Sequence, residues 1–207
     1  MNKDLSQLVQ QLLPEICHGG VNRLDRQEER RIARLVTNHI PDHASLFMNF
    51  GTITEEVARI LGNRRGLRVI TNSLNIAEIM SGNSDFEVII AGGVIRPGNR
   101  CIIGQASIDF IHQFRVDFSI IGISGIESDG ALLNFDFGEA RIAKAMIANS
   151  RQIFVVAAHK TFGRNALVRL GHLSQVHALF TSQPLPKAMA RVFAEAKTAV
   201  YVADSET

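Results

Sequence analysis

The feature that most constrains this chain is an alternation. Short apolar runs end in polar or small residues, and each is followed by a segment with helical spacing. The runs are Ser45–Asn49, Leu67–Asn72, Phe86–Ala91, Phe118–Ile123, Ile153–Ala158, Ala178–Ser182 and Ala199–Val202. The helical segments lead from Thr52 to Leu61, from Ser73 to Met80, from Gly104 to Phe114, from Gly138 to Asn149, and from Pro184 and Pro186 to Ala196. Runs this short and apolar cannot each keep a wet face, so they predict strands covered on both sides. Alternating with helices, they predict an α/β fold: a mostly parallel, twisted sheet with helices on both faces. Phe118–Ile123 is the most apolar and belongs at the centre, Ala199–Val202 at an edge. Val94–Cys101, holding Pro97 and Gly98, reads as a loop or short hairpin.

In an open parallel sheet the strand ends collect at one edge, and ligands bind there. The ends carry Asn49, Thr71-Asn72, Gly92-Gly93, Ser124-Gly125 and His159-Lys160. After the first strand, Phe50-Gly51-Thr52-Ile53-Thr54 reads as a tight loop opening a helix, with Thr52 or Thr54 as its cap. The free N–H groups and dipole of such a helix end suit a phosphate or carboxylate, although an ordinary strand-to-helix turn has the same pattern.

Ahead of this alternation, residues 2–13 read as a helix stopped by Pro14, His18-Gly19-Gly20 as a turn, and residues 25–40 as a second helix stopped by Pro41. Arg23, Arg26, Arg30, Arg31 and Arg34 crowd that second helix, where Asp25, Glu28 and Glu29 can pair with them on a solvated face. A net charge of +2 gives no general case for nucleic-acid binding. Only Cys17 and Cys101 are present, which points to a reducing cytoplasm rather than a disulfide framework. No run reaches membrane-spanning length.

Catalytic and cofactor signatures are weak. Gly122-Ile123-Ser124-Gly125 is one residue short of a nucleophile elbow, and no His and acid can be assigned to it. The seven histidines show no metal-ligand spacing. Neither a P-loop nor a Gly-x-Gly-x-x-Gly motif occurs, so no cofactor is expected. His159-Lys160 with Phe162-Gly163-Arg164-Asn165 could grip a phosphate or be a solvated loop. Glu139 could meet a ligand or serve only its helix end.

Taken together, His18-Gly19-Gly20, Phe50-Gly51-Thr52, Val69–Asn72, Ile90–Gly93, Ile102–Gly104, Phe110–Arg115, Gly122–Ile126, Ser128–Gly130 and Phe162–Asn165 resemble the effector-sensing C-terminal domain of DeoR-type transcriptional repressors, within the branch that controls glycerol 3-phosphate metabolism. The resemblance implies a fold similar to ribose-phosphate isomerases, a homo-oligomeric binding protein rather than an enzyme, and a small phosphorylated metabolite such as glycerol 3-phosphate as effector. On this reading Gly51, Thr52, Asn72, Gly92, Gly93, Ser124 and Gly125 shape the pocket, Lys160 and Arg164 supply positive charge, and Glu139 meets a sugar hydroxyl. The chain departs from the family pattern at Asn49 and Ala158, where it has Asp, at Thr161, where it has Lys, and at Ile53, where it has Thr. Val94, Gly138 and Ala143 depart from a close relative within that branch, which has Glu, His and Lys there. Sugar-phosphate binding weaker than in a full-pattern relative is the consequence expected. Residues 1–24 are expected to be a remnant of a DNA-binding region and its linker, and residues 25–207 the sensor. DNA would then be contacted only through a missing N-terminal domain. The alternatives are a sugar-phosphate isomerase of related fold and a regulator acting only through subunit association.

Overall fold

The structure is a computed structural model that describes residues 23–203. The helix expected over residues 2–13 and the turn at His18-Gly19-Gly20 lie outside the described residues.

Seven strands form one sheet: β1 (Ser45–Met48), β2 (Arg68–Thr71), β3 (Glu87–Ile90), β6 (Val116–Gly122), β9 (Ser150–Ala157), β11 (Ala178–Thr181) and β12 (Ala199–Val202). Their order is β12-β11-β9-β6-β1-β2-β3, and every neighbouring pair is parallel. The expected central strand, β6, is in the middle, and β12 is an edge.

The helices α1 (Arg23–Thr37), α2 (Thr52–Leu61), α3 (Leu74–Ser81), α4 (Gln105–Ile111), α5 (Phe137–Ala148) and α6 (Ala190–Ala196) cover both faces. Ile32, Val36, Val57, Ile76 and Phe180 belong to one buried cluster, and Phe47, Ile121, Ile142, Met146 and Phe193 to another. Alternate residues of β1 divide between these clusters, with Leu46 and Met48 in the first and Phe47 in the second, as strand geometry requires. Ser73 caps α3 by accepting from the Ile76 N–H at 3.3 Å, as its position implied.

Three expectations need correction. Neither Thr52 nor Thr54 caps α2: Gly51 is the capping residue, and the Thr54 hydroxyl donates back to the Gly51 carbonyl at 2.9 Å. Gly51 adopts φ 153°, which a side chain disfavours. Second, beyond β6 lie strands that the sequence reading did not assign. Strands β7 (Gly125–Ile126), β8 (Ala131–Asn134) and β10 (Val168–His172) build a small antiparallel sheet in the order β10-β8-β7. The segment Val94–Cys101 forms a hairpin of β4 (Val94–Arg96) and β5 (Cys101–Ile103). Third, Glu28 and Glu29 of α1 do not serve only a solvated, arginine-paired face. Ile32, Ala33 and Val36 are fully buried against the sheet, while Glu28 and Glu29 in its N-terminal half turn to the carboxyl edge.

Candidate functional site at the carboxyl edge of the sheet

From β1 the chain moves outward through β2 and β3, then returns to β6 on the other side of β1. That reversal opens a crevice between the carboxyl ends of β1 and β6, the usual ligand position in such sheets. Asn49 spans it. Its Nδ2 donates to the Gly122 carbonyl at 2.9 Å and its Oδ1 accepts from the Gly122 N–H at 2.8 Å. An amide does both at any pH, whereas an ionised carboxylate could only accept, which explains why asparagine serves here.

Around this clamp the expected residues arrange themselves by strand. Gly51 and Thr52 follow β1 and open α2. Asn72 follows β2 and is buried; its Nδ2 donates to the Ile102 carbonyl at 3.1 Å, and its Oδ1 has no hydrogen-bond partner among the described residues. Gly92 and Gly93 follow β3, where the Gly92 carbonyl accepts from Ser107 Oγ at 2.6 Å. Ser124 donates its N–H to the Leu133 carbonyl at 2.9 Å, and Gly125 pairs with Leu133. Gly125 therefore belongs to the antiparallel sheet, and Ser124 lies in the short link between β6 and β7. Lys160 is exposed on the one-turn helix His159–Thr161 that follows β9. Arg164 lies further along, its guanidinium 4.7 Å from the Phe135 ring centroid.

Glu139 sits in the first turn of α5 and is buried. It accepts from Asn99 Nδ2 at 2.5 Å and lies 3.4 Å from Arg96 Nη1 and 3.9 Å from Cys101 Sγ. Arg96 also pairs with Asp136, the α5 cap, at 2.7 Å. The β4–β5 hairpin is thereby strapped to α5. Burial raises the Glu139 carboxyl, although Asn99 and Arg96 oppose the rise. Burial also pushes Asp136 up, but the Glu139 N–H and Arg96 outweigh it and hold that carboxyl below its ordinary range. Burial, with Glu139 alongside, pushes the Cys101 thiol up to about 12. The thiolate is the reactive form. In a Cys17→Ser chain, therefore, Cys101 should resist iodoacetamide at pH 8 while folded and react after denaturation; rapid native alkylation followed by mass spectrometry would contradict this packing.

A depression of about 600 Å³ is lined by Glu127, Ser128, Phe162, Gly163, Asn165 and Met189 among others, so part of the Phe162–Asn165 stretch faces it, whereas Gly51, Thr52, Asn72, Gly92, Gly93, Ser124, Gly125, Glu139, Lys160 and Arg164 do not line it. Among the described residues no group of histidine, cysteine and carboxylate side chains could hold a metal ion.

The profile of the DeoR C terminal sensor domain matches residues 25–183. The glycerol-3-phosphate regulon repressor of Escherichia coli is 42% identical to the chain, over 94% of the chain and 83% of the repressor. The chain belongs to the DeoR family. The transcriptional repressor CsqR of the same bacterium is 38% identical over 91% of the chain and 78% of its own length. The fold resembles ribose 5-phosphate isomerase A from Methanocaldococcus jannaschii, with TM-score 0.50, 14% identity, and 68% and 55% of the two chains covered. It also resembles eIF2B beta from Chaetomium thermophilum, with TM-score 0.58, 14% identity, and 83% and 54% covered. No helix among the described residues is long and apolar enough to cross a membrane.

For a DeoR sensor domain this edge contains contacts that sequence reasoning missed. Glu28 Oε1 accepts from the His159 N–H at 3.0 Å and from Ser182 Oγ. Glu29 Oε1 accepts from the Thr52 hydroxyl. The only available signal was two adjacent glutamates in an arginine-rich helix, and arginine partners satisfied that signal without reference to the sheet.

Proposed function

We propose that this DeoR sensor domain regulates transcription by binding a small phosphorylated metabolite at the carboxyl edge, and that it does so as a homo-oligomer without catalysing a reaction. The observation that carries the reading is the juxtaposition of Gly51-Thr52, opening α2 beside the β1–β6 crevice, with the unpartnered buried Oδ1 of Asn72 on the neighbouring strand end. A helix N-terminus suits the phosphate, and a buried amide oxygen suits a hydroxyl of the same molecule. The glycerol-3-phosphate regulon repressor relationship makes glycerol 3-phosphate the first compound to test. Sugar-phosphate isomerisation needs a positioned carboxylate base. Here Asn49 is neutral and fully engaged, Ala158 has no acid, and Glu139 is tied to Asn99 and Arg96, which supports a binding role.

Calorimetry with glycerol 3-phosphate should show binding near millimolar, about −4 kcal/mol. Thr52→Val should weaken it about tenfold, because a hydroxyl donor to a charged oxygen is lost. Unchanged affinity in that variant would place the phosphate elsewhere. Incubation with ribose 5-phosphate should yield no ketose. Self-association is supported by the exposed apolar residues Ile90, Val94, Ile95 and Phe137 on and around the β4–β5 hairpin. Sedimentation at micromolar concentration should show a dimer or larger, and a strict monomer would end that part of the reading.

A further inference from the structure

We infer that α1 supplies the site with its own anions: Glu28 and Glu29 hold donor groups at the carboxyl edge, and a phosphorylated effector binds by displacing that part of the helix. The inference rests on the phosphate-binding reading of Gly51-Thr52 above and adds a mechanism of regulation to it.

One turn of α1 ties together three strand ends that are remote in sequence. Glu29 takes the hydroxyl of Thr52 after β1. Glu28 takes the backbone N–H of His159 after β9 and the hydroxyl of Ser182 after β11. Thr52 is the first residue of α2, whose capping glycine offers no side-chain oxygen. A carboxylate held there has the charge and acceptor geometry of a phosphate oxygen pair. A second anion brought to Thr52 would meet the Glu29 charge at contact distance, so the two cannot share the donor.

The helix is built to yield there and to hold elsewhere. From Ile32 onward it is fixed by fully buried Ile32, Ala33 and Val36. Ahead of Ile32, Arg26, Gln27 and Arg30 are exposed, Glu28 and Glu29 are half-buried, and the named contacts of the two glutamates are polar. Arg31, three residues after Glu28 and so on the same side of the helix, has a buried Nε with no hydrogen-bond partner among the described residues. An incoming phosphate would offer that guanidinium an acceptor. Effector binding and docking of residues 26–31 are thus mutually exclusive, with Ile32 as the fixed point.

The test uses the full chain and glycerol 3-phosphate. Glu29→Gln keeps the side-chain size and an acceptor for Thr52 but removes the competing charge, and it should raise affinity about tenfold. Glu28→Gln should act in the same direction. Glu55→Gln, also in the first turn of α2 but bonded to Asn75, controls for a general loss of negative charge and should change affinity by less than about twofold. In the wild-type chain, saturating glycerol 3-phosphate should speed amide hydrogen exchange across residues 26–31 and leave residues 32–37 unchanged. Binding by the Glu29→Gln chain alone would also support self-occupancy. If wild type binds but Glu29→Gln gains nothing, if Glu55→Gln gains as much, or if ligand slows exchange across 26–31, the displacement is wrong while the phosphate site stands. If neither wild type nor variant binds at roughly 10 mM, both readings fall.

Discussion

Gly125→Ala is expected to destabilise the sensor domain by about 3 kcal/mol or more. Gly125 is buried where β7 leaves β6, and the chain after β9 crosses directly over it. A Cβ at this position would lie well inside contact distance of the Arg164 carbonyl oxygen. That carbonyl cannot swing away as a flexible side chain would. Its segment is held by the Gly163 N–H donating to the Ile126 carbonyl at 2.9 Å and by a bridge between Ile126 and Phe162. The added methyl must therefore separate β7 from the 162–164 segment, losing that hydrogen bond. Chemical denaturation should show a lower midpoint with little change in slope. A midpoint within experimental error of wild type would show that the crossing is looser than described. The same substitution should also move Arg164 off Phe135, so a folded variant would report on effector binding as well.

Asn49→Asp is expected to cost about 2 kcal/mol at pH 8 and to recover most of that loss only near pH 4, close to the ordinary carboxylate value. The substitution restores the residue of the family pattern, yet in this chain it puts a carboxylate oxygen against the Gly122 carbonyl in place of the donating Nδ2. One hydrogen bond is lost, and a buried acceptor is left facing a negative charge. Protonation repairs this: an acid O–H can donate to the Gly122 carbonyl while the other oxygen accepts from the Gly122 N–H. The folded state therefore binds the proton more tightly than the unfolded chain, so the new carboxyl titrates above its ordinary value. Between the two values the folded state holds more protons, and stability falls as pH rises through that window. Comparison with wild type at each pH removes the contribution of the other carboxylates. A loss that is constant with pH, or greater at pH 4, would show that Asn49 does not face Gly122 as described.

These sites also show where local pattern was sufficient. Parallel strands buried on both faces carry their assignment in composition, and this is why β1, β2, β6, β9 and β11 could be read from runs such as Phe118–Ile123. The small antiparallel sheet could not. Strand β7 has two residues and β8 four, too few for a period to show, and β10 contains Gly171 and a register shift between Arg169 and Gly171. The α2 cap was misread because threonine after glycine suits a cap locally, whereas the actual backbone leaves the Thr54 hydroxyl pointing back to the Gly51 carbonyl.

The sequence by itself determined the fold class, the central place of β6, the edge at which Gly51, Asn72, Gly93, Ser124 and Lys160 collect, and the family. All of these depend on local hydrophobicity, on turn residues, or on several short motifs occurring in order. Tertiary structure alone decided what those residues do to one another. Glu28 meets His159 across 131 positions and Ser182 across 154, and Asn49 meets Gly122 across 73. A carboxylate or amide carries no local mark of such a partner, because its pairing is selected by the shape of the closed sheet. The same glutamates beside arginines are fully explained as a solvated helix face until the core fixes which way α1 turns. Burial of Ile32, Ala33 and Val36 sets that rotation, and the placement of anions at the carboxyl edge follows from it.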